Sequence, residues 1–230
     1  MSEILRYEIK MVCEAHMLGQ VRSWVRMHPA CLREAYPLRQ INNIYFDTPD
    51  RSSYWGNMMG VGERRKIRLR WYGEDYSQAT KPVLELKYKK NQLGGKQNIK
   101  LKDTVLDLQR PWVDIMAELT GLIAPHGWFG QVFHEVQIPL LINSYHREYF
   151  VTPDEKVRVT LDFNIKLFDQ RVGSRPNWER PLPYYPYMAI EIKADQGYEE
   201  ELQAVSTLFP LRWSRHSKYV MGVLGGFEAV

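Results

Sequence analysis

Four positively charged side chains alternate along the stretch ERRKIRLRW, which covers residues 63–71. In a strand, the two faces of this stretch hold Arg64, Lys66, Arg68 and Arg70 on one side and Ile67, Leu69 and Trp71 on the other. Cations on one face repel one another, so they face either water or a strongly anionic partner. The planar fork of arginine suits phosphate oxygens in particular, which makes phosphate a natural partner for this face.

The polar faces of the other predicted strands repeat this excess of cations. With residues 41–48 and 96–102 left out of the count, the polar faces carry twelve cations and five anions in a chain whose net charge is only +4. Because a solvated face usually mixes both signs with Ser, Thr and Gln, the repeated pattern favours anion binding over simple exposure to water. The few carboxylates among the cations could hold a divalent metal through oxygen ligands, and they are Glu8, Glu85, Asp162 and Glu191.

Alternation of apolar and polar residues predicts eight strands that would position these side chains. The strands cover residues 6–11, 41–48, 63–71, 82–90, 96–102, 143–150, 156–165 and 187–195. Apolar residues at helical spacing predict three helices, from Glu14 to Met27, Asp107 to Ile123 and Gly197 to Phe209. The stretch from Asp169 to Tyr187 is rich in Pro, Arg and Tyr, and is predicted to be a long loop.

Eight strands with few helices indicate the α+β class with an antiparallel sheet. We expect the sheet to curl into a tunnel or barrel with a basic lumen, while helices cover its apolar outside. No linker rich in Pro, Gly or Ser divides the chain, so residues 1–230 are expected to form a single domain. A linear phosphate chain with Mg²⁺ or Mn²⁺ would satisfy both the cations and the carboxylates of such a lumen.

The composition disfavours several other classes of protein. Hydrophobic residues make up 44% and charged residues 25%, which is typical of a soluble globular chain, and a net charge of +4 is too small to indicate nucleic acid by itself. Cys13 and Cys31 lack the spacing of a disulfide framework or a zinc site. No apolar stretch approaches the ~20 residues of a membrane span, and MSEILRYEIK carries charges where a signal peptide is apolar. We therefore expect a cytoplasmic protein.

An ordered series of motifs runs along nearly the whole chain. It consists of RYEIK, NIYFDTPD, the Arg-x-Arg of KIRLRWY, LELKYKK, the Tyr-x-Arg of YHREYF, VRVTLDFNI, AIEIKAD and SRHSKY. This series resembles the VTC domain, the polyphosphate polymerase branch of the CYTH-like triphosphate tunnel metalloenzymes. The resemblance implies an eight-stranded antiparallel tunnel that transfers the terminal phosphate of ATP to a growing polyphosphate chain. It also implies ATP and inorganic polyphosphate as partners, without membrane insertion.

The resemblance and the cationic strand faces together assign expected roles to individual residues. Those expected to be catalytic are Lys10, Arg68, Arg70, Lys87, Arg147 and Glu191. Those expected to bind substrate are Lys66, Lys100, Arg158, Lys193, Arg215, Ser217 and Lys218, the last three in a segment that closes over the phosphates. The expected metal ligands are Glu191 and Glu8, with Mn²⁺ or Mg²⁺ as cofactor. Phosphoryl transfer requires mainly positioning and charge neutralisation, and the ionised acceptor phosphate needs no general base.

Two rival functions stay open at this point. One is a tripolyphosphatase or nucleoside triphosphatase of the same fold, although this chain has Arg6-x-Glu8-x-Lys10 where the hydrolases and cyclases of the superfamily have Glu-x-Glu-x-Lys. The other is a non-catalytic module that binds polyphosphate or RNA. We expect no nucleic acid, because stacking aromatics should interleave with the cations, whereas here they fall largely on the opposite faces. The primer and any membrane-protein partner also stay open.

Overall fold

The computed structural model describes residues 6–90, 93–183, 185–214 and 216–228. Within these residues it has ten strands, β1 Arg6–Glu14, β2 Arg33–Asp47, β3 Glu63–Tyr72, β4 Gln78–Thr80, β5 Val83–Lys90, β6 Leu93–Lys100, β7 Val105–Asp107, β8 Ile138–Val151, β9 Val157–Asp169 and β10 Tyr187–Asp195. The same residues form six α-helices, α1 Leu18–Arg26, α2 Ser52–Met58, α3 Trp112–Ile123, α4 Trp128–Glu135, α5 Glu199–Thr207 and α6 Lys218–Glu228.

Eight of these strands form one hydrogen-bonded sheet. Their order is β1-β10-β9-β8-β2-β3-β5-β6, and β4 pairs with β7 in a separate two-stranded sheet. The registers of β1 with β10, β10 with β9, β2 with β3, β3 with β5 and β5 with β6 are antiparallel. The predicted α+β class and eight-stranded antiparallel sheet are therefore confirmed, whereas the basic lumen stays a prediction.

The chain divides into two compact units. Unit 1 contains the described residues of Met1–Gln40, Tyr145–Ile165 and Tyr185–Ser217, and unit 2 contains those of Ile41–Ser144, Lys166–Tyr184 and Lys218–Val230. Each unit has its own cluster of buried apolar side chains. The expectation of a single domain over residues 1–230 stays a prediction.

In unit 2, the apolar face of β3 is buried. Ile67, Leu69 and Trp71 are at most 1% exposed, and they belong to the same core as Leu119 of α3 and Phe133 of α4. Removing these side chains from water stabilises the fold by about 25 cal/mol per Å² of apolar surface. Because side chains alternate across a strand, the intervening cations of β3 lie on the face away from this core.

The core of unit 1 is built in the same way. Ile190 and Ile192 of β10 and Val159 of β9 are fully buried, and they pack in one cluster with Val21 of α1 and Leu202 of α5. The residues between them on β9 and β10 are polar, so they lie on the face of the sheet opposite the core. In each unit, these strands therefore have one apolar face, which is buried in the core, and one polar face that carries charged residues.

Several predicted element bounds were wrong, for identifiable reasons. The strand predicted at residues 41–48 begins at Arg33 instead, because residues 33–40 are mostly exposed and contain Pro37, and so show no alternation. The helix predicted from Asp107 begins only at Trp112, where Pro111 occupies the N-cap position, and residues 105–107 pair with β4. The helix predicted from Glu14 begins at Leu18, because Glu14 still belongs to β1.

The helices α2, α4 and α6 were not predicted. The helices α2 and α4 have seven and eight residues, which is too short for a clear helical period. In α6, three glycines interrupt the apolar pattern. The predicted loop is confirmed, since β9 ends at Asp169 and β10 begins at Tyr187. Among the described residues, no helix combines the length and hydropathy that a membrane crossing requires.

Candidate functional site

The cations of β3 in unit 2 surround a buried carboxylate on the neighbouring strand. Register places Arg68 opposite Glu85, which is 3% exposed. Arg68 Nε and Nη2 lie 2.7 Å and 2.5 Å from Glu85 Oε2. Arg70 Nη1 lies 3.4 Å from Glu85 Oε1, and Lys96 Nζ of β6 donates to the same oxygen at 3.0 Å. With Lys87, whose charge also acts on Glu85, these residues are called the Glu85 cluster.

The Glu85 cluster holds four cations against one carboxylate. Burial alone raises the pKa of Glu85, but the positive charges of the cluster outweigh it, and the pKa lies well below its ordinary value. Burial also lowers the pKa of Lys96, and its partner Glu85 only partly offsets this. The Arg68 and Arg70 side chains are only 13% and 11% exposed. The two arginines therefore concentrate poorly solvated positive charge, which attracts an anion.

Neutral side chains hold the two guanidinium groups in place. Arg68 Nη1 donates to the Tyr45 hydroxyl at 3.2 Å, and Arg70 Nε donates to Asn43 Oδ1 at 3.0 Å. Asn43 Nδ2 in turn donates to Asn143 Oδ1 at 2.8 Å. Tyr45, Asn43 and Asn143 are buried. The guanidinium planes are therefore preorganised, which lowers the cost of binding a ligand.

A buried carboxylate, Asp47, ties the start of α6 to the end of β2 in unit 2. The Tyr219 hydroxyl donates to Asp47 Oδ2, and the backbone amides of Ser53 and Tyr54 donate to Asp47 at 2.9 Å and 3.0 Å. The Tyr219 ring stacks on Tyr45 with centroids 5.0 Å apart. Burial and the Asp47 charge raise the pKa of Tyr219 far above its ordinary value, so its hydroxyl remains a donor at neutral pH.

Tyr219→Phe is expected to lower the free energy of unfolding by about 2 kcal/mol, because a buried carboxylate loses one charge-assisted hydrogen bond. Urea denaturation followed by circular dichroism measures this change. Tyr187→Phe is the matched control, since Tyr187 is 41% exposed, and it should change stability by less than about 0.5 kcal/mol. Equal effects of the two substitutions would contradict a stabilising role for the Asp47 hydrogen bond.

Three further predicted site residues, Lys66, Lys100 and Lys218, lie in unit 2. Lys66 Nζ lies 5.8 Å from the centroid of the Tyr219 ring, and register places Lys66 opposite Lys87. Lys100 is exposed at the end of β6, opposite Val83, and so shares a face with Glu85. Lys218 is buried, at 9% exposure, as the first residue of α6.

Unit 1 contains a second network of charges around Glu191 of β10. Arg147 makes two contacts with Asp162, at 2.5 Å and 2.6 Å, and its Nη2 lies 3.3 Å from Glu191 Oε2. Lys193 Nζ lies 2.5 Å from the same Glu191 oxygen. Lys10 Nζ lies 3.7 Å from Glu191 Oε1 and 3.5 Å from Glu8 Oε1. The Glu191 cluster consists of Glu8, Lys10, Arg147, Asp162, Glu191 and Lys193.

The Glu191 cluster is balanced, with three cations and three carboxylates. Burial lowers the pKa of Arg147, but Asp162 and other negative groups outweigh it and the pKa is raised. Glu8 Oε1 and Glu191 Oε2 both contact Lys193 Nζ, at 3.4 Å and 2.5 Å, so the two carboxylates converge on one positive charge. No group of three or more His, Cys, Asp or Glu among the described residues could by itself hold a metal ion.

The remaining predicted residues of unit 1 lie on β9 and after α5. Arg158 of β9 donates to Asp195 Oδ1 at 2.8 Å, and its side chain is 40% exposed. The segment containing Ser217 follows the edge of β1, since the Ser214 amide donates to the Lys10 carbonyl at 2.8 Å and Lys10 Nζ donates to the His216 carbonyl at 3.2 Å. Arg215 lies outside the described residues.

Sequence reasoning missed several members of these networks. Lys96 was in a quoted strand segment but had no assigned role, although it shares a face with Lys100. The sequence also gave little indication of the roles of Asn43, Tyr45 and Asp47 on β2, because amide and hydroxyl groups are also common on solvated strand faces. The pairing of Asp47 with Tyr219 joins residues 172 positions apart, so no local pattern could have indicated it.

The chain matches the VTC domain family over residues 5–225. Among solved structures, it is similar to the PH1819 protein from Pyrococcus horikoshii OT3, with 15% identity, a TM-score of 0.50, and coverage of 97% of this chain and 99% of that chain. It is also similar to a Vibrio parahaemolyticus protein described as a candidate adenylate cyclase, with 13% identity, a TM-score of 0.52, and coverage of 95% and 97%. At these identities the likeness concerns the fold alone. No curated protein matches the sequence.

Proposed function

The chain belongs to the VTC domain family, and we propose that it is a polyphosphate polymerase, which transfers the terminal phosphate of ATP to a growing chain of inorganic polyphosphate. Family membership supports a phosphate-related function. The observation that carries the proposal further is the Glu85 cluster, in which four cations face a single carboxylate. The oxygens of a triphosphate are suitable acceptors for these guanidinium and ammonium groups.

Arg68 and Arg70 are the central phosphate ligands in this proposal. They are two positions apart on one strand, so their Cα atoms lie about 7 Å apart and they can contact adjacent phosphates. Lys66, Lys87, Lys96 and Lys100 share their face of the sheet and add positive charge. In the reaction, an oxygen of the terminal acceptor phosphate attacks the γ-phosphorus of ATP, the bond to the β-phosphate oxygen breaks, and ADP leaves. The cations stabilise the charge on the transferring group.

Within unit 1, the Glu191 cluster would by itself bind phosphate and hold a divalent metal. Mg²⁺ is commonly bound by one or two carboxylates together with substrate phosphates. Glu8 and Glu191 fit this donor set, because both already contact the Lys193 ammonium. Mn²⁺ or Mg²⁺ bound to these carboxylates would polarise phosphate oxygens and neutralise their charge. Lys10 and Lys193 would then turn from the carboxylates toward phosphate.

Glu191→Gln is expected to weaken Mn²⁺ binding in the presence of inorganic triphosphate by about tenfold or more, because one of two converging carboxylates is lost. Titration of Mn²⁺ followed by electron paramagnetic resonance measures this without catalysis. Glu14→Gln is the control, since Glu14 lies at the exposed end of β1. Unchanged Mn²⁺ affinity in Glu191→Gln would exclude Glu191 as a metal ligand.

Incubation of the purified protein with ATP and Mn²⁺ tests the proposed reaction, with product length measured on a gel. A polymerase yields long phosphate chains and ADP. Orthophosphate without polymer would identify a tripolyphosphatase or nucleoside triphosphatase instead. Tight binding of polyphosphate with neither product would identify a non-catalytic binding module. Either of these two results would overturn the polymerase proposal.

A further inference from the structure

Two hydrogen-bond donors on one face of β9 in unit 1 have no partner in the part of the chain that the structure describes. Among the residues that the structure describes, Arg158 Nε and Thr160 Oγ1 are buried polar atoms without a hydrogen bond. They are two positions apart on one strand, so both lie on its polar face. Asp162, next on the same face, differs from them because it is paired with Arg147.

The Thr160 hydroxyl is costly to leave without a partner. Thr160 is 8% exposed, and a buried hydroxyl without a hydrogen bond destabilises a fold. Valine has nearly the same shape and would occupy this position without that cost. Since buried polar groups are nearly always hydrogen-bonded, an exception requires an explanation such as a ligand.

The groups across the strand pair explain why the donors lack partners. Register places Glu191 opposite Thr160 and Lys193 opposite Arg158. Glu191 Oε2 already contacts both Lys193 Nζ, at 2.5 Å, and Arg147 Nη2, at 3.3 Å. The carboxylate that register places opposite Thr160 is thus engaged by cations. Arg158 is anchored on its other side, where Nη2 donates to Asp195.

We propose that the Thr160 hydroxyl and Arg158 Nε donate together to oxygens of one phosphate group, which makes Thr160 a further substrate-binding residue. The inference rests on the proposed function, since it assigns this phosphate to the triphosphate or polyphosphate substrate. A phosphate group accepts hydrogen bonds from a guanidinium N–H and a hydroxyl at the same time. When phosphate binds, the Lys193 ammonium breaks its ion pair with Glu191 and contacts the phosphate instead. This exposes Arg158 Nε and Thr160 Oγ1, which lie opposite that ion pair in the sheet.

The test compares Thr160→Val with Thr160→Ser in the full chain. Calorimetric titration with inorganic triphosphate in EDTA measures binding without divalent metal. Thr160→Val should bind about tenfold more weakly, as expected when a hydrogen bond to a charged group is lost. Its melting temperature should equal or exceed that of the wild type, because a buried hydroxyl without a partner is removed. Thr160→Ser keeps the hydroxyl and should bind within about twofold of the wild type.

Thr152→Val supplies the matched control in the same unit. Thr152 is also buried, but its hydroxyl donates to Asp154 Oδ1 at 2.6 Å and accepts from the Val157 amide at 3.1 Å. Thr152→Val should therefore lower the melting temperature and leave triphosphate affinity unchanged. Thr160→Val should keep or raise the melting temperature and weaken binding, whereas Thr152→Val should lower the melting temperature and leave binding unchanged. This contrast distinguishes a binding role from a structural one.

The inference would be overturned if Thr160→Val bound inorganic triphosphate as tightly as the wild type. It would also be overturned if binding were weakened only in the presence of Mg²⁺, because the hydroxyl would then contact the metal. A Thr160→Val variant with a lowered melting temperature would mean that the hydroxyl has a structural partner, and would also overturn it. If the wild type binds triphosphate but forms no polymer, the polymerase proposal fails and the Thr160 subsite stands. If the wild type binds no triphosphate, both fail.

Discussion

Arg68→Ala should slow polyphosphate synthesis from ATP by about 100-fold or more, which is the usual cost of removing one preorganised donor from a transferring group. Arg68 contacts Glu85 twice and Tyr45 once, and its side chain is 13% exposed, so its fork is already held in the orientation that phosphate would meet. Its loss also leaves the Glu85 charge less compensated, which repels phosphate. The initial rate of polymer formation with ATP and Mn²⁺ measures the effect.

Arg64→Ala is the matched control for this substitution. Arg64 lies on the same face of β3, but its Nη1 donates to the Val61 carbonyl at 3.0 Å instead of to the Glu85 cluster. Its removal should change the rate by about twofold at most, since an exposed charge is screened by salt. If Arg64→Ala slows the reaction as much as Arg68→Ala, the cations of β3 act through overall charge and the Glu85 cluster has no special role.

The strand faces could be predicted because they follow from a period of two. In ERRKIRLRW every second residue is apolar from Ile67 onward, and Ile67, Leu69 and Trp71 are indeed buried. The strand Tyr187–Asp195 was predicted with its exact bounds for the same reason. Burial of one face is a local requirement on each strand, so local sequence is enough to indicate it.

Pairing between strands could not be predicted, because it depends on register. Arg68 meets Glu85 only because β3 and β5 align these two positions, and a slip of one residue would turn one of the side chains to the other face. Glu85 was a candidate metal ligand in the sequence, whereas in the structure Arg68, Arg70 and Lys96 surround it. These contacts favour a role for Glu85 in orienting the cations. They depend on β3, β5 and β6 together, so no single strand sequence indicates them.

Glu85→Gln should lower the free energy of unfolding by about 3 kcal/mol or more, because removal of one partner from a buried charge network leaves the others uncompensated. The Arg68 and Arg70 side chains are only 13% and 11% exposed, so water cannot replace the lost carboxylate as a partner for their charges. Urea denaturation at neutral pH measures the loss. Glu135→Gln is the control, since the Glu135 side chain is 65% exposed and its contact with Arg65 is 3.6 Å long.

The difference in free energy of unfolding between wild type and Glu85→Gln should depend on pH in a definite direction. The folded pKa of Glu85 is depressed below its unfolded value of about 4.3. Its ionised form therefore stabilises the fold at every pH above about 4.3, and this contribution is lost as the pH falls toward the folded pKa. The gap between wild type and Glu85→Gln should be constant from about pH 5 to 8 and should narrow in more acidic solution. A gap that widens on acidification would contradict the assignment.

Inorganic triphosphate should reverse much of the loss in Glu85→Gln. A ligand that binds only the folded state stabilises it in proportion to the logarithm of its concentration over its dissociation constant. With Glu85 neutral, the cations of its cluster have no internal anion, so triphosphate replaces the missing charge and binds at least as tightly as in the wild type. The melting temperature of Glu85→Gln should then rise more on addition of triphosphate than that of the wild type. An equal rise in both would mean that phosphate binds elsewhere, and that Glu85 neutralises these cations for stability alone.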